Sequence, residues 1–89
     1  MSEKIDKKVK EIVELLDFLI QDTTIPKNVR KAIEKAKTNL LATNNQDLAV
    51  KATSAIYIMD EVSSDTNLPI HARTHIWRIM SALESLKHK

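Results

Sequence analysis

The amino-acid sequence predicts an all-α fold, an antiparallel four-helix bundle made of two duplicated helix hairpins. Three observations carry that reading. Apolar residues recur at i, i+3, i+4 and i+7 in four segments of similar length, the spacing of a core-facing helical stripe. The 89 residues include no glycine, which disfavours the tight two-residue turns of β-hairpins. The third observation is a repeat at an offset of 43 positions. Asp22-Thr23-Thr24-Ile25-Pro26 returns as Asp65-Thr66-Asn67-Leu68-Pro69, and Arg30 and Ile33 return as Arg73 and Ile76. Val13/Ile56, Leu15/Ile58, Leu16/Met59 and Asp17/Asp60 extend the match backwards. A unit written twice implies a repeated architecture, but not a chemistry.

The first helix is expected over about residues 3–21, with Ile5, Val9, Ile12, Val13, Leu16, Leu19 and Ile20 facing inward. Leu15 and Phe18 widen its stripe. The second, over about 26–43, carries Val29, Ile33, Ala36 and Leu40. Pro26 suits the first helical position, where its missing N–H costs nothing, and it bars Ile25 from the preceding helix. Asn44 or Asn45 can end the second helix or cap the third, since Asn does either without glycine. The third helix, over about 46–62, shows Leu48, Ala52, Ala55, Ile56, Met59 and Val62, and its small residues allow close approach of a neighbour. The fourth, over about 69–86, shows Ala72, Ile76, Ile79, Met80, Leu83 and Leu86. Each helix then spans roughly 26–28 Å. Matched lengths and short links make neighbours antiparallel. The whole chain, 1–89, reads as a single domain, with one hairpin over about 3–43 and the other over about 46–86.

Charge follows the repeat. Residues 1–25 hold four basic and six acidic groups, 26–43 five and one, 44–68 one and four, and 69–89 four and one. The first helix of each hairpin is acidic and the second basic. Residues equidistant from a turn meet in an antiparallel pair, so Asp17 is expected to face Arg30 and Lys31, and Asp60 to face Arg73. Asp22 and Asp65 precede the basic helices, where a helix N-terminus favours an anion.

Composition narrows the chemistry. Without cysteine there are no disulfides, thiolate zinc sites, iron–sulfur clusters or cysteine nucleophile. Without glycine, phosphate loops, dinucleotide fingerprints and nucleophile elbows cannot be built in the usual way. Phe18, Tyr57 and Trp77 are the only aromatics, a poor stacking platform for single-stranded nucleic acid. No long apolar run and no signal-peptide pattern is present, so the expectation is a cytoplasmic protein with no membrane association.

The repeated turn resembles a helix-pair repeat of the HEAT class, which carries an Asp- and Pro-containing turn and a Val-Arg in its second helix. Two such repeats are too few for a solenoid, and a closed bundle buries more with the same residues. The whole chain also resembles an archaeal family, uncharacterised protein family number 0147. That resemblance rests on the doubled Asp-Thr-x-Ile/Leu-Pro-x-x-Val/Ala-Arg turn and on the stretch Ile58-Met59-Asp60-Glu61-Val62 to Pro69-Ile70-His71-Ala72-Arg73. It implies an all-α, four-helix fold and an archaeal cytoplasmic origin, and it supplies no activity, ligand or catalytic residue.

Four clusters could carry chemistry. His71 and His75, four apart, project from one helix face and could place two imidazoles on one metal, but no third ligand lies near in sequence. Ser63 and Ser64 with Asp65 and His71 lack an elbow and an oxyanion loop. Lys27, Lys31, Lys35 and Arg78 form a candidate basic face that could bind phosphate backbones if the second and fourth helices share a side. Leu15, Phe18, Ile70, Arg73 and Trp77 sit at the edges of the helical stripes, and would form an interaction patch if exposed. The expected function is therefore non-catalytic: a protein-interaction or adaptor module, possible as a homodimer, without cofactor. Nucleic-acid association is the alternative, and a histidine metal site the third.

Overall fold

The computed structural model describes residues 3–42 and 47–87, with side chains from Lys7 onward. Four helices follow in order: α1 (Glu3–Ile20), α2 (Lys27–Leu41), α3 (Leu48–Ser63) and α4 (Ile70–Lys87). They form an all-α antiparallel four-helix bundle with a long dimension of 38 Å. α1 packs on α2 and α4, and α3 packs on the same two, so α1 faces α3, and α2 faces α4, across the diagonals. The contact of α1 with α4 closes the ring, where a HEAT-like solenoid would leave it open.

The core follows the 43-residue repeat at eight pairs of positions, while buried Ala52 has half-buried Val9 as its equivalent. Ile12/Ala55, Leu16/Met59, Leu19/Val62, Ile25/Leu68, Val29/Ala72, Ile33/Ile76, Ala36/Ile79 and Leu40/Leu83 are all buried. The repeat thus relates helices at opposite corners, and the hairpins are related by an approximate two-fold rotation about the bundle axis. The size of equivalent residues breaks that symmetry. Where α1 carries Val9 and Ile12, α3 carries Ala52 and Ala55. Interaxial distance depends on side-chain size at the contact, and α3 accordingly lies closer to its two neighbours than α1 does.

The two turns share one hydrogen-bond design. The Asp22 carbonyl accepts from Ile25 N–H and the Asp65 carbonyl from Leu68 N–H, each at 3.2 Å. The Asp22 carboxylate accepts from Thr24 N–H at 2.9 Å and the Asp65 carboxylate from Asn67 N–H at 2.8 Å. These are Asx turns, in which a short side chain imitates the backbone and dispenses with glycine. No described residue has positive φ. Ile25 and Leu68 are buried at the ends of the core. Pro26 proves to be the N-cap residue, one position before the helix, with its carbonyl accepting from Arg30 N–H at 3.0 Å. Pro69 likewise precedes α4 and accepts from Arg73 N–H at 3.1 Å. Asn44, Asn45 and the Ile5 side chain lie outside the described residues; Asp47 stands at the N-cap of α3.

The expected cross-hairpin ion pairs are replaced. Arg30 Nε donates to the Ile25 carbonyl at 3.1 Å, and Arg73 Nη2 to the Asp65 carbonyl at 3.2 Å. Asp17 instead meets Lys37 at 2.6 Å. An Arg in the first turn of a helix lies beside turn carbonyls that lack helical partners, and a charged donor to a half-buried carbonyl is a strong hydrogen bond. Equidistance from the turn predicted the neighbouring helices but overlooked those nearer acceptors. Lys31 points outward and is exposed.

Asp22 also ties the hairpins together, its carboxylate lying 2.8 Å from His71 Nε2 of α4. The Thr24 hydroxyl, the His71 ring and the Thr24 N–H together hold the Asp22 pKa down to about 2, against an ordinary 3.8. A depressed carboxylate stabilises the fold fully above its unfolded value, and that contribution disappears as pH falls through the folded one. The window is thus between pH 3.8 and about 2. Carbon-13 NMR titration of the Asp22 carboxyl should give a midpoint near 2, and Thr24→Val should raise it more than His71→Ala does. A midpoint at the ordinary value in the unaltered protein would refute the turn geometry.

Candidate interaction surface

The residues singled out from sequence fall on separate parts of the bundle. His71 and His75 lie in one row along the α1 flank of α4, but they serve different partners. His71 meets Asp22, while the His75 ring packs at a tilt against Phe18, with centroids 5.1 Å apart and planes at 58°. Among the described residues no group of three or more His, Asp or Glu is placed to hold a metal ion. Ser63 Oγ donates to the Asp60 carbonyl at 2.7 Å, and the Asp65 carboxylate is taken by Asn67, so the serines, Asp65 and His71 are not assembled.

Phe18 and Leu15 line a groove between α1 and α4 with Glu11, Glu14 and His75. Leu15 is half-buried and Phe18 is 57% exposed. Ile70, Arg73 and Trp77 do not join them. Arg73 and Trp77 follow His71 and His75 by two residues each, which carries them about 160° around the helix, onto the α3 flank. Arg73 is half-buried and pinned to the Asp65 carbonyl, with its Nε unpartnered; it is a structural residue of the turn rather than a free anchor. Ile70 and Trp77 are 80% and 59% exposed.

The candidate basic residues are also divided. Lys27, Lys31, Lys35 and Arg78 are all exposed. However, α2 and α4 do not pack side by side, because alternate helices of an up-and-down ring occupy its diagonals. Lys27, Lys31 and Lys35 mark one corner and Arg78 the opposite one, so they do not form one face. The tail residues His88 and Lys89 lie outside the described residues.

Sequence reading overlooked Val50 and Tyr57. Both stand on the outward side of α3, and Tyr57 is 72% exposed. A signal was present. Between Leu48 and Met59 the only charge is Lys51, and its ammonium is bound to the Ala42 carbonyl. α3 is therefore apolar on both faces, the pattern of a buried helix, although one face meets solvent here.

The repeat gives this exposure a reference. Val50, Tyr57, Ile70 and Trp77 occupy the positions held in the first hairpin by Lys7, Glu14, Lys27 and Glu34. All eight are exposed. The same four outward positions thus carry solvated charge on one side of the bundle and large apolar groups on the other. Phe18 and Leu41 are the remaining large exposed apolar residues among those described, and they face Glu61 and Glu84 in the repeat.

The fold and this surface define a small all-α bundle that displays apolar side chains on neighbouring helices of one hairpin. The chain belongs to the uncharacterised protein family UPF0147, whose model matches residues 1–86. It is 45% identical to a UPF0147 protein of Methanocaldococcus jannaschii over 87 residues, covering 97% of this chain and 92% of that one. A UPF0147 protein of Pyrococcus horikoshii is 38% identical over 84 residues, covering 93% and 89%. The bundle is similar to two crystal structures. One is of the unknown-function protein MMP1188, with a TM-score of 0.86, 41% identity, and coverage of 96% of this chain and 93% of that one. The other is of a UPF0147 protein from Thermoplasma acidophilum, with a TM-score of 0.83, 38% identity, and coverage of 93% and 98%. No helix among the described residues is long and apolar enough to cross a membrane.

Proposed function

We propose that this chain is a non-catalytic protein-interaction module of the archaeal cytoplasm, docking a partner protein on the outward face of α3 and α4. The exchange of Lys7, Glu14, Lys27 and Glu34 for Val50, Tyr57, Ile70 and Trp77 at equivalent exposed positions carries the reading. Folding does not require these apolar groups outside, since the first hairpin solves the same positions with charge. Covering such groups releases roughly 25 cal/mol per Å² of apolar surface. Tyr and Trp are the residues that most often anchor interfaces, having large rigid surfaces and few rotors to freeze. In this mechanism Trp77 and Tyr57 are the apolar anchors, Ile70 and Val50 extend the contact, and rim charges orient the approach.

Photo-crosslinking in an archaeal host tests the proposal. A benzophenone side chain placed at position 57 or 77 should yield one defined protein adduct, resistant to nuclease. The same group at Lys10 or Lys31 should not. Equal labelling from all four positions, or adducts that vanish with nuclease, would rule the reading out.

A further inference from the structure

We infer that the partner seated on α3 is an amphipathic helix whose apolar face is flanked at one end by basic residues, about ten positions from its farthest apolar anchor, an inference that rests on the interaction reading above. Two shallow hollows lie end to end along the outside of α3 and share Tyr57. The first, about 400 Å³, is lined by Ala49, Val50, Thr53, Ser54 and Tyr57. The second, about 430 Å³, is lined by Tyr57, Ile58, Asp60, Glu61 and Ser64. The small residues of the first let a helix approach closely, with Val50 and Tyr57 as apolar walls. The second ends in the exposed carboxylates of Asp60 and Glu61, which no described cation pairs. From Val50 to Glu61 a helix rises roughly 16 Å, which sets the spacing between the partner's apolar anchor and its Lys or Arg.

Charge also selects against a second copy as the occupant. A two-fold antiparallel pairing of α3 about Thr53 and Ser54 brings Asp60 and Glu61 of one copy against exposed Asp47 of the other. Like charges facing each other at an interface oppose association. A basic-ended helix meets attraction at the same place.

The probe is a fluorescein-labelled, end-capped 18-residue helical peptide with a Leu/Ala face and an Arg pair at positions 15 and 16, ten residues beyond the Leu at position 5. Its counterpart carries Glu at the two Arg positions. Fluorescence anisotropy against the full chain at 50 mM salt should give at least about tenfold tighter binding of the Arg peptide, with the preference falling at 300 mM salt. The double variant Asp60→Lys/Glu61→Lys should invert the preference, and Tyr57→Ala should weaken both peptides, with circular dichroism of each variant unchanged. Equal binding of both peptides, lost in Tyr57→Ala, overturns the charge rule and leaves the apolar docking face intact. Binding of neither overturns the inference, and crosslinking from positions 57 and 77 then judges the broader reading by itself. A dimer by sedimentation that Tyr57→Glu dissociates also overturns it, because α3 would then belong to a second copy.

Discussion

Ile76→Ala lowers the unfolding free energy by about 2–5 kcal/mol, and Ile33→Ala does the same, as read from urea unfolding with fluorescence or circular dichroism. Both side chains are fully buried, and they occupy equivalent positions of the two hairpins. Each truncation removes apolar surface that folding took from water and leaves a void that a close-packed bundle fills only in part. For a chain of this length the loss is a large share of total stability. Tyr57→Ala and Trp77→Ala provide the contrast. Both side chains are mostly exposed, and truncating them should change stability by no more than about 0.5 kcal/mol. If the exposed pair proved as costly as the buried pair, the assignment of inside and outside would be wrong.

Ala55→Ile destabilises by about 1–3 kcal/mol, whereas the residue it copies from the other hairpin, Ile12, is required where it stands. Ala55 is fully buried on α3, which lies close against both α2 and α4. The added atoms have no void to enter, so the helix must move or the side chain must leave its rotamer. The converse change, Ile12→Ala, should cost about 2–5 kcal/mol by leaving a cavity at the wider α1 position. Denaturant unfolding of the two variants tests whether the repeat is symmetric in pattern and asymmetric in packing. A neutral Ala55→Ile would mean that α3 is no closer to its neighbours than α1.

Of the proposed docking face, Ile70 and Trp77 are legible in the sequence, whereas Val50 and Tyr57 are not. Phe18 and Trp77 stood out because they lie at the edges of apolar stripes and face Glu61 and Glu34 across the repeat. Both are exposed. Tyr57 and Val50 are hidden in the sequence because α3 carries only one charge between Leu48 and Met59, and periodicity alone does not tell the buried side of such a stretch from its outer side. Arg73 was misread for a different reason. A repeated Asp and a repeated Arg on antiparallel helices suggest a pair, yet the backbone carbonyls of the turn lie nearer to the guanidinium than Asp60 does. Carbonyls carry no sequence signature, so hydrogen bonds to them are invisible in a reading of side chains.

By itself the sequence determined the four helices, their boundaries to within a residue or two, the place of the two turns and most of the positions that fill the core, though not Ile25 and Leu68 at its ends. These follow from local rules: apolar spacing, proline placement and the absence of glycine. Only the tertiary structure decided which helices share a side. The ring sets α2 and α4 on a diagonal, which divides the basic residues, and it sets α3 beside α4, which joins two exposed apolar rows on neighbouring helices. The physical reason is that charge and apolar spacing along one helix define its own faces. The face a helix offers to solvent or to a partner depends on where its neighbours lie, and in this bundle the alanines of α3 set how closely they approach.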